Sequence, residues 1–333
     1  NNNNNNNNMS SSNPNTAPAG QAPPQRSKLQ AVNYANIVAY LLNIGITYGV
    51  GVSGYFPTNA ELSAKYQTLV TPAGYAFAIW GIIFIAQFIW VILQALPAFR
   101  SSDVVVKGVG YWYVAVCVAQ CAWSVVFAQE WIEASLAAML SILIGLVVIL
   151  PKIDAIPLDA TWKYWGFKFP FQIHCGWIWA ASVVNFNVVL VAADVDPSGQ
   201  IISAWISLVF LVLVSMYYLY RNIYVVPLVL VWATYAVNAE LKAPQDSITN
   251  TFDAETVDML QQSAFGLAIA VLASTVMTGF IQLYRKRQQA SATNTGNASD
   301  AAPKEAADDT STDTSPKEAS DDTAPKEVAV DTV

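Results

Sequence analysis

The residues of this chain that could do chemistry are aromatic rings and amides. In the stretch "TPAGYAFAIWGIIFIAQFIWVILQALP", Phe77, Trp80, Phe84 and Gln87 recur at steps of three and four, which puts them on one face of a helix. Gln120, Trp123 and Phe127 repeat the spacing within "AQCAWSVVF". His174, Trp177, Ala181 and Asn185 do so within "PFQIHCGWIWAASVVNFN". Facing Trp and Phe rings offer flat apolar surfaces, and a few amides among them would orient whatever lies between. That is the chemistry of holding a flat, greasy molecule.

Other chemistries lack their residues. Apart from Glu133 at a helix edge and His174, the apolar segments contain no carboxylate, Lys, Arg or His. Proton relays and ion sites inside membrane bundles are built from those groups, so ion-driven transport is disfavoured. No catalytic acid/base pair or metal cluster is visible, and an enzyme is not expected. The three cysteines, Cys117, Cys121 and Cys175, lack the spacing of a disulfide framework or zinc site and read as small core hydrophobes. His174 is of a type that ligates haem iron. A lone intramembrane His is more often hydrogen-bonded to a neighbouring helix, and that reading is taken here.

The elements that must position these residues are membrane helices. The chain has 333 residues, 54% hydrophobic and 12% charged, and its polar ends make the middle more apolar still. A span needs about 20 mostly apolar residues. Eight runs qualify: Tyr34–Tyr55, Pro72–Leu96, Gly108–Ala128, Ile132–Leu150, Pro170–Ala193, Ile201–Tyr220, Ile223–Ala239 and Ser263–Tyr284. Pro57, Pro97, Pro151, Pro157, Pro197 and Pro244 are placed between them as turn residues. With eight alternating spans, 11 basic residues from Arg26 to Arg287 fall on one side and only Lys65 and Lys242 on the other. By the positive-inside rule both termini are expected in the cytosol. The membrane itself is not named by the sequence.

The expected fold class is therefore an all-α integral membrane protein of about eight transmembrane helices with disordered termini. Residues 1–30, opening on "NNNNNNNN", are too polar to offset chain entropy. Residues 288–333 hold ten acidic residues and three Lys, which accounts for the whole net charge of −7. Their degenerate repeat, starting at Pro303, Pro316 and Pro325, reads as a solvated spacer. No basic patch suggests a nucleic-acid partner.

Membrane helices also use Trp at headgroups and amides as interhelical glue, without any ligand. Trp90, Trp112, Trp131, Trp162, Trp165 and Trp205 lie near span ends or in loops and are assigned to that role. Trp80, Trp123 and Trp177 lie within spans and share faces with amides. "GITYG" in the first span is a small-xxx-small step of the kind that permits close helix contact.

"TPAGYAFAIW", then "AWSVVF", then "PFQIHCGWIWAASVVN", in that order, resemble the tryptophan-rich sensory protein (TspO/MBR, translocator protein) family. The likeness covers roughly residues 34–193 and is greatest to longer bacterial-type members with extra helices. It implies a five-helix bundle over 31–193, a further three-helix membrane region over 194–287, and a pocket beneath the loop joining the first two helices. The implied ligand is a tetrapyrrole such as protoporphyrin or haem, or a lipid-like molecule, with no cofactor required and room for a homodimer. By motif, the resemblance implies site residues Tyr66, Pro72, Tyr75, Phe77, Trp80, Trp123, Phe127, Trp177 and Asn185; the helix faces add Phe84 and Gln120. Glu61 and Lys65 are placed at the mouth. The family's double Pro with a nearby Trp is here "TPAGY", with no loop Trp, which argues against porphyrin breakdown. The expected function is binding for sensing, buffering or transfer. Passive transport of tetrapyrrole or lipid, and a scaffold role using the tail, are the alternatives.

Overall fold

The computed structural model describes residues 28–52 and 56–300. The Asn-rich start and the Pro-containing repeats lie outside the described residues, as does Tyr55. What is described is helical, in eleven segments. These are α1 Ala31–Val52, α2 Asn59–Lys65, α3 Ile79–Ala95, α4 Trp112–Ala128, α5 Ile132–Asp154, α6 Thr161–Phe167, α7 Phe169–Ala192, α8 Pro197–Tyr220, α9 Val225–Leu241, α10 Asp246–Thr249 and α11 Ala254–Asp300. A tight 3-10 turn, Gly74–Ala78, leads into α3, and a π-helical segment, Val104–Val109, precedes α4.

A helix occupies most of the described part of each of the eight expected spans, with a break before Trp112. Five segments are both long and apolar enough to cross a membrane: Gly74–Ala95, Ile132–Asp154, Phe169–Ala192, Pro197–Tyr220 and Ala254–Gln289. The apolar helices α4 and α9 have 17 residues each, about 26 Å at 1.5 Å per residue, slightly less than a hydrocarbon core. This is an all-α, multi-pass membrane protein.

Local chemistry sets the boundaries. Thr58 and Glu61 close a reciprocal capping box on α2: the Thr58 hydroxyl accepts from Glu61 N–H (3.2 Å) and Glu61 accepts from Thr58 N–H (2.7 Å). Asp196 caps α8, accepting from Gly199 N–H at 3.0 Å. Helices α4, α7 and α8 end on left-handed residues, Glu130, Asp194 and Asn222, with φ of 61°, 51° and 58°. The following N–H then reaches back five residues in each case, Trp131 to Val126, Val195 to Leu190 and Ile223 to Tyr218, at 2.9–3.0 Å.

Several boundaries differ from those expected. The third span starts at Trp112, because the π segment and Gly110 (φ 53°) interrupt the helix between Val104 and Tyr111. Pro151 lies inside α5, in its last turns, where losing one N–H is tolerable, and Pro197 is the first residue of α8, where that N–H is unpaired anyway. Helix α11 runs to Asp300, into the expected acidic tail; no proline occurs before Pro303 to stop it.

Among the described residues, those up to Gln282 form one compact unit, and those from Leu283 are grouped separately. Within the first unit the main contacts are α4 with α5, α5 with α7, α1 with α4, and α7 with α9. Helix α7 is buried along most of its length. At its crossing with α9 a side chain on Gly176 would meet Val229 Cβ at 2.8 Å and the Val226 backbone at 3.2 Å, so the two helices touch through glycine. A Cβ on Gly45 or Gly49 would meet nothing within 4 Å, so "GITYG" makes no close contact here. Trp90 is also reassigned. It is fully buried against Tyr113 and Phe171, with ring centroids at 4.8 and 5.0 Å, because its face of α3 points at α4 and α7. Trp112, Trp131, Trp162 and Trp165 are exposed, as headgroup-level tryptophans would be.

Candidate aromatic binding site

Helices α3, α4 and α7 bring their aromatic faces together directly beneath α2. Trp80 stacks on Trp123 (centroids 6.4 Å, planes 29° apart), and Trp123 stacks on Phe127 (5.0 Å, 14°). Trp177 stands edge-on to both Trp80 (6.4 Å) and Phe77 (5.7 Å). These five rings line a small, almost wholly apolar cavity. Asn59 and Ser63 of α2, with Val70 and Pro72 of the following loop, roof it.

Of the residues singled out in the sequence, Pro72, Phe77, Trp80, Trp123, Phe127, Trp177 and Asn185 line this cavity. Four others do not. Tyr75 is exposed and packs edge-on against Trp232 of α9 at 5.2 Å. Phe84 is buried one turn deeper, against Trp80 and Tyr48. Gln120 is buried away from the wall, its Oε1 without a partner among the described residues. Tyr66 turns to the α4–α5 corner and donates to Glu130 at 2.6 Å.

The sequence reading missed the small and aliphatic part of the wall. Met139 of α5, Ala180, Val183, Val184 and Val188 of α7, Leu208 and Leu211 of α8, and Ala233 and Val237 of α9 complete it. No residue type marks these positions. The sixth and seventh spans, which had no assigned role, therefore supply one side of the site.

Polar groups hold the rings in place. The Asn185 amide joins three helices: its Oδ1 accepts from Trp123 Nε1 (3.1 Å) and its Nδ2 donates to Ser135 Oγ (2.9 Å). Asn185→Leu should leave the Trp123 N–H buried and unpaired, costing about 1–2 kcal/mol. Thermal unfolding in detergent should show the loss, with Asn185→Gln less affected. His174 meets Gln87 on α3: its Nδ1 lies 2.8 Å from Gln87 Nε2, while Gln87 Oε1 accepts from Tyr113 at 3.1 Å. The lone histidine thus has a neighbouring-helix partner. Its Nε2, like Nε1 of Trp80 and of Trp177, has no partner among the described residues.

The site is closed. A water-sized sphere finds only about 40 Å³ of room inside, enough for a few waters and far below the 300–1,000 Å³ or so of an occupied small-molecule pocket. The rings fill the space by packing on one another. The roof is tied down on two sides. Toward α4–α5, Lys65 and Tyr66 both bond Glu130. Toward α9, Gln67 donates to Glu240 (2.6 Å) and Ala73 N–H donates to Ala236 C=O (3.0 Å). Lys65 is thus engaged with Glu130, and Glu61 is spent on the α2 cap.

The Glu130 latch has a pH signature. Hydrogen bonds from Lys65 and then Tyr66 hold the Glu130 carboxyl below its usual range, and the same contacts raise Lys65 and Tyr66. A depressed carboxyl contributes above its unfolded value and loses that contribution as pH falls through the folded one. The raised Lys65 and Tyr66 keep the latch intact on the alkaline side up to the ordinary Tyr range. Amide exchange of α2, corrected for intrinsic rates, should therefore stay constant near neutrality and accelerate below about pH 4. Glu130→Gln should show the accelerated exchange already at neutral pH.

Against known proteins, a family model described as TSPO-like protein matches residues 33–277. No curated protein and no solved structure matches the chain. The matched segment begins in α1, ends in α11, and takes in every helix that lines the cavity, α8 and α9 included. With well over half its length matched, and the aromatic site inside the match, the chain belongs to the TSPO-like protein family.

Proposed function

We propose that this protein binds a flat, largely apolar molecule of the tetrapyrrole class within the membrane, for sensing, buffering or transfer, without bond chemistry of its own. The observation that carries the reading is the convergence of Phe77, Trp80, Trp123, Phe127 and Trp177 from three helices and the turn that leads into α3 around one cavity. Ring faces attract a planar π-system through dispersion and offset stacking. The unpartnered N–H groups of Trp80 and Trp177 would donate to acceptors that the ligand brings.

The present packing leaves no room for a macrocycle, so the rings must part as the ligand enters. Opening of that kind slows association below the usual range for a preformed site. No cofactor is required in this reading, and both termini face the cytosol.

The test is a tryptophan-quenching titration of the detergent-solubilised protein with protoporphyrin IX. Saturable quenching at one equivalent supports the proposal. Linear, non-saturating quenching, matched by free tryptophan, rejects it.

A further inference from the structure

A larger space shares a lining residue with the aromatic cavity. Between α5, α7 and α8 a groove of about 480 Å³ runs along the flank of the bundle. Leu140, Phe186, Ile202, Ile206 and Phe210 form its rim and are exposed, and in a membrane such side chains face hydrocarbon. The groove also carries hydroxyls. Ser207 is tied to its neighbours, because Asn187 Nδ2 donates to it at 2.9 Å while Asn187 Oδ1 accepts from Ser203 at 2.8 Å. Ser182 is only 6% exposed, and its Oγ has no partner among the described residues. An orphaned hydroxyl in an apolar groove is costly unless something arrives to pair with it.

Groove and cavity have one lining residue in common. Val183 lines both. Beside it on α7, Ala180 and Ala181 line the cavity and add little bulk. The aqueous side is closed more heavily, by the bonds of Lys65 and Tyr66 to Glu130, of Gln67 to Glu240, and of Ala73 to the α9 backbone. A strongly apolar ligand is moreover concentrated in hydrocarbon, where it meets the groove first.

We propose that the ligand reaches the aromatic cavity sideways from the bilayer: it lodges in the groove between α5, α7 and α8 and passes inward when Val183 moves aside. The proposal rests on the binding role given above. Its groove intermediate is an apolar ring body whose carbonyl or carboxyl accepts a hydrogen bond from Ser182. Val183 is then a gate, which changes how fast the ligand crosses more than how tightly it is held.

The experiment uses the full chain in lipid vesicles preloaded with protoporphyrin IX, with tryptophan quenching followed in time. Val183→Ala should speed association and dissociation together, and Val183→Phe should slow both, each by on the order of tenfold, with a smaller change in affinity than in either rate. A Glu130→Ala/Glu240→Ala double variant, which removes the acceptors of the roof bonds, should leave both rates unchanged. The proposal is overturned if the Val183 variants shift affinity without moving the association rate, or if loosening the roof speeds uptake while Val183 variants do not. Absence of saturable quenching in the wild type would instead reject the binding role itself.

Discussion

Gly176→Leu is expected to separate α9 from α7 and, with it, the roof from the cavity. The Cβ alone would sit 2.8 Å from Val229 Cβ and 3.2 Å from both Val226 Cα and its carbonyl oxygen. A side chain can rotate away, but a helix backbone cannot, so α9 must move outward. Overpacking of this kind costs about 3 kcal/mol or more when backbone has to shift. The lost contacts include the Ala73–Ala236 bond and the Trp232 Nε1 bond to Ala76 C=O at 3.3 Å, both of which anchor the turn into α3. Thermal unfolding in detergent should fall by roughly 10 °C. Gly45→Leu is the control. There the added side chain meets open space, and the midpoint should stay within about 2 °C of wild type. A ranking by the "GITYG" motif would give the reverse order, so the pair of variants separates the two readings cleanly.

The second large effect concerns the ligand. Replacing Trp80 and Trp177 together by alanine removes two of the five rings and both unpartnered indole N–H groups. Each ring is worth about 1 kcal/mol beyond its area, so their joint loss should weaken protoporphyrin IX binding by at least about 30-fold. Trp80 touches Trp123, Trp177, Phe84 and His174, so its loss also unsettles its neighbours. A Trp80→Phe/Trp177→Phe variant preserves flat surfaces without the N–H donors. Binding retained in the phenylalanine pair and lost in the alanine pair would assign the affinity to the ring faces. Equal affinity in a folded alanine pair would show that the ligand lies elsewhere.

Much of the fold was legible because membrane spans are written locally. About twenty apolar residues in a row can satisfy their backbone groups only as a helix, and a helix occupies most of the described part of each of the eight runs. Period and residue type also identified the rings of the site, since Trp80, Trp123 and Trp177 share helix faces with amides. Phe84 and Gln120 show the limit of that argument. Both share the correct face, but a stripe crosses the whole membrane and a cavity occupies only part of it. Tyr66 and Tyr75 were lost for a different reason: loop residues have no periodicity to aim them, and Glu130 and Trp232 took them as partners.

By itself, then, the sequence determined the class of solvent, the helices and the aromatic character of the site, because those follow from composition and spacing along the chain. Tertiary structure alone decided which segments close around the rings. Leu208, Leu211, Ala233 and Val237 are unremarkable aliphatic residues on helices outside the recognised motifs; the first two become wall because α8 packs against α7, the last two because Gly176 lets α9 approach α7. The latches of Lys65 to Glu130 and Gln67 to Glu240 join residues 65 and 173 positions apart. Pairings of that length depend on how helices pack, and packing in lipid is set by shape, which no local pattern of hydrophobicity encodes.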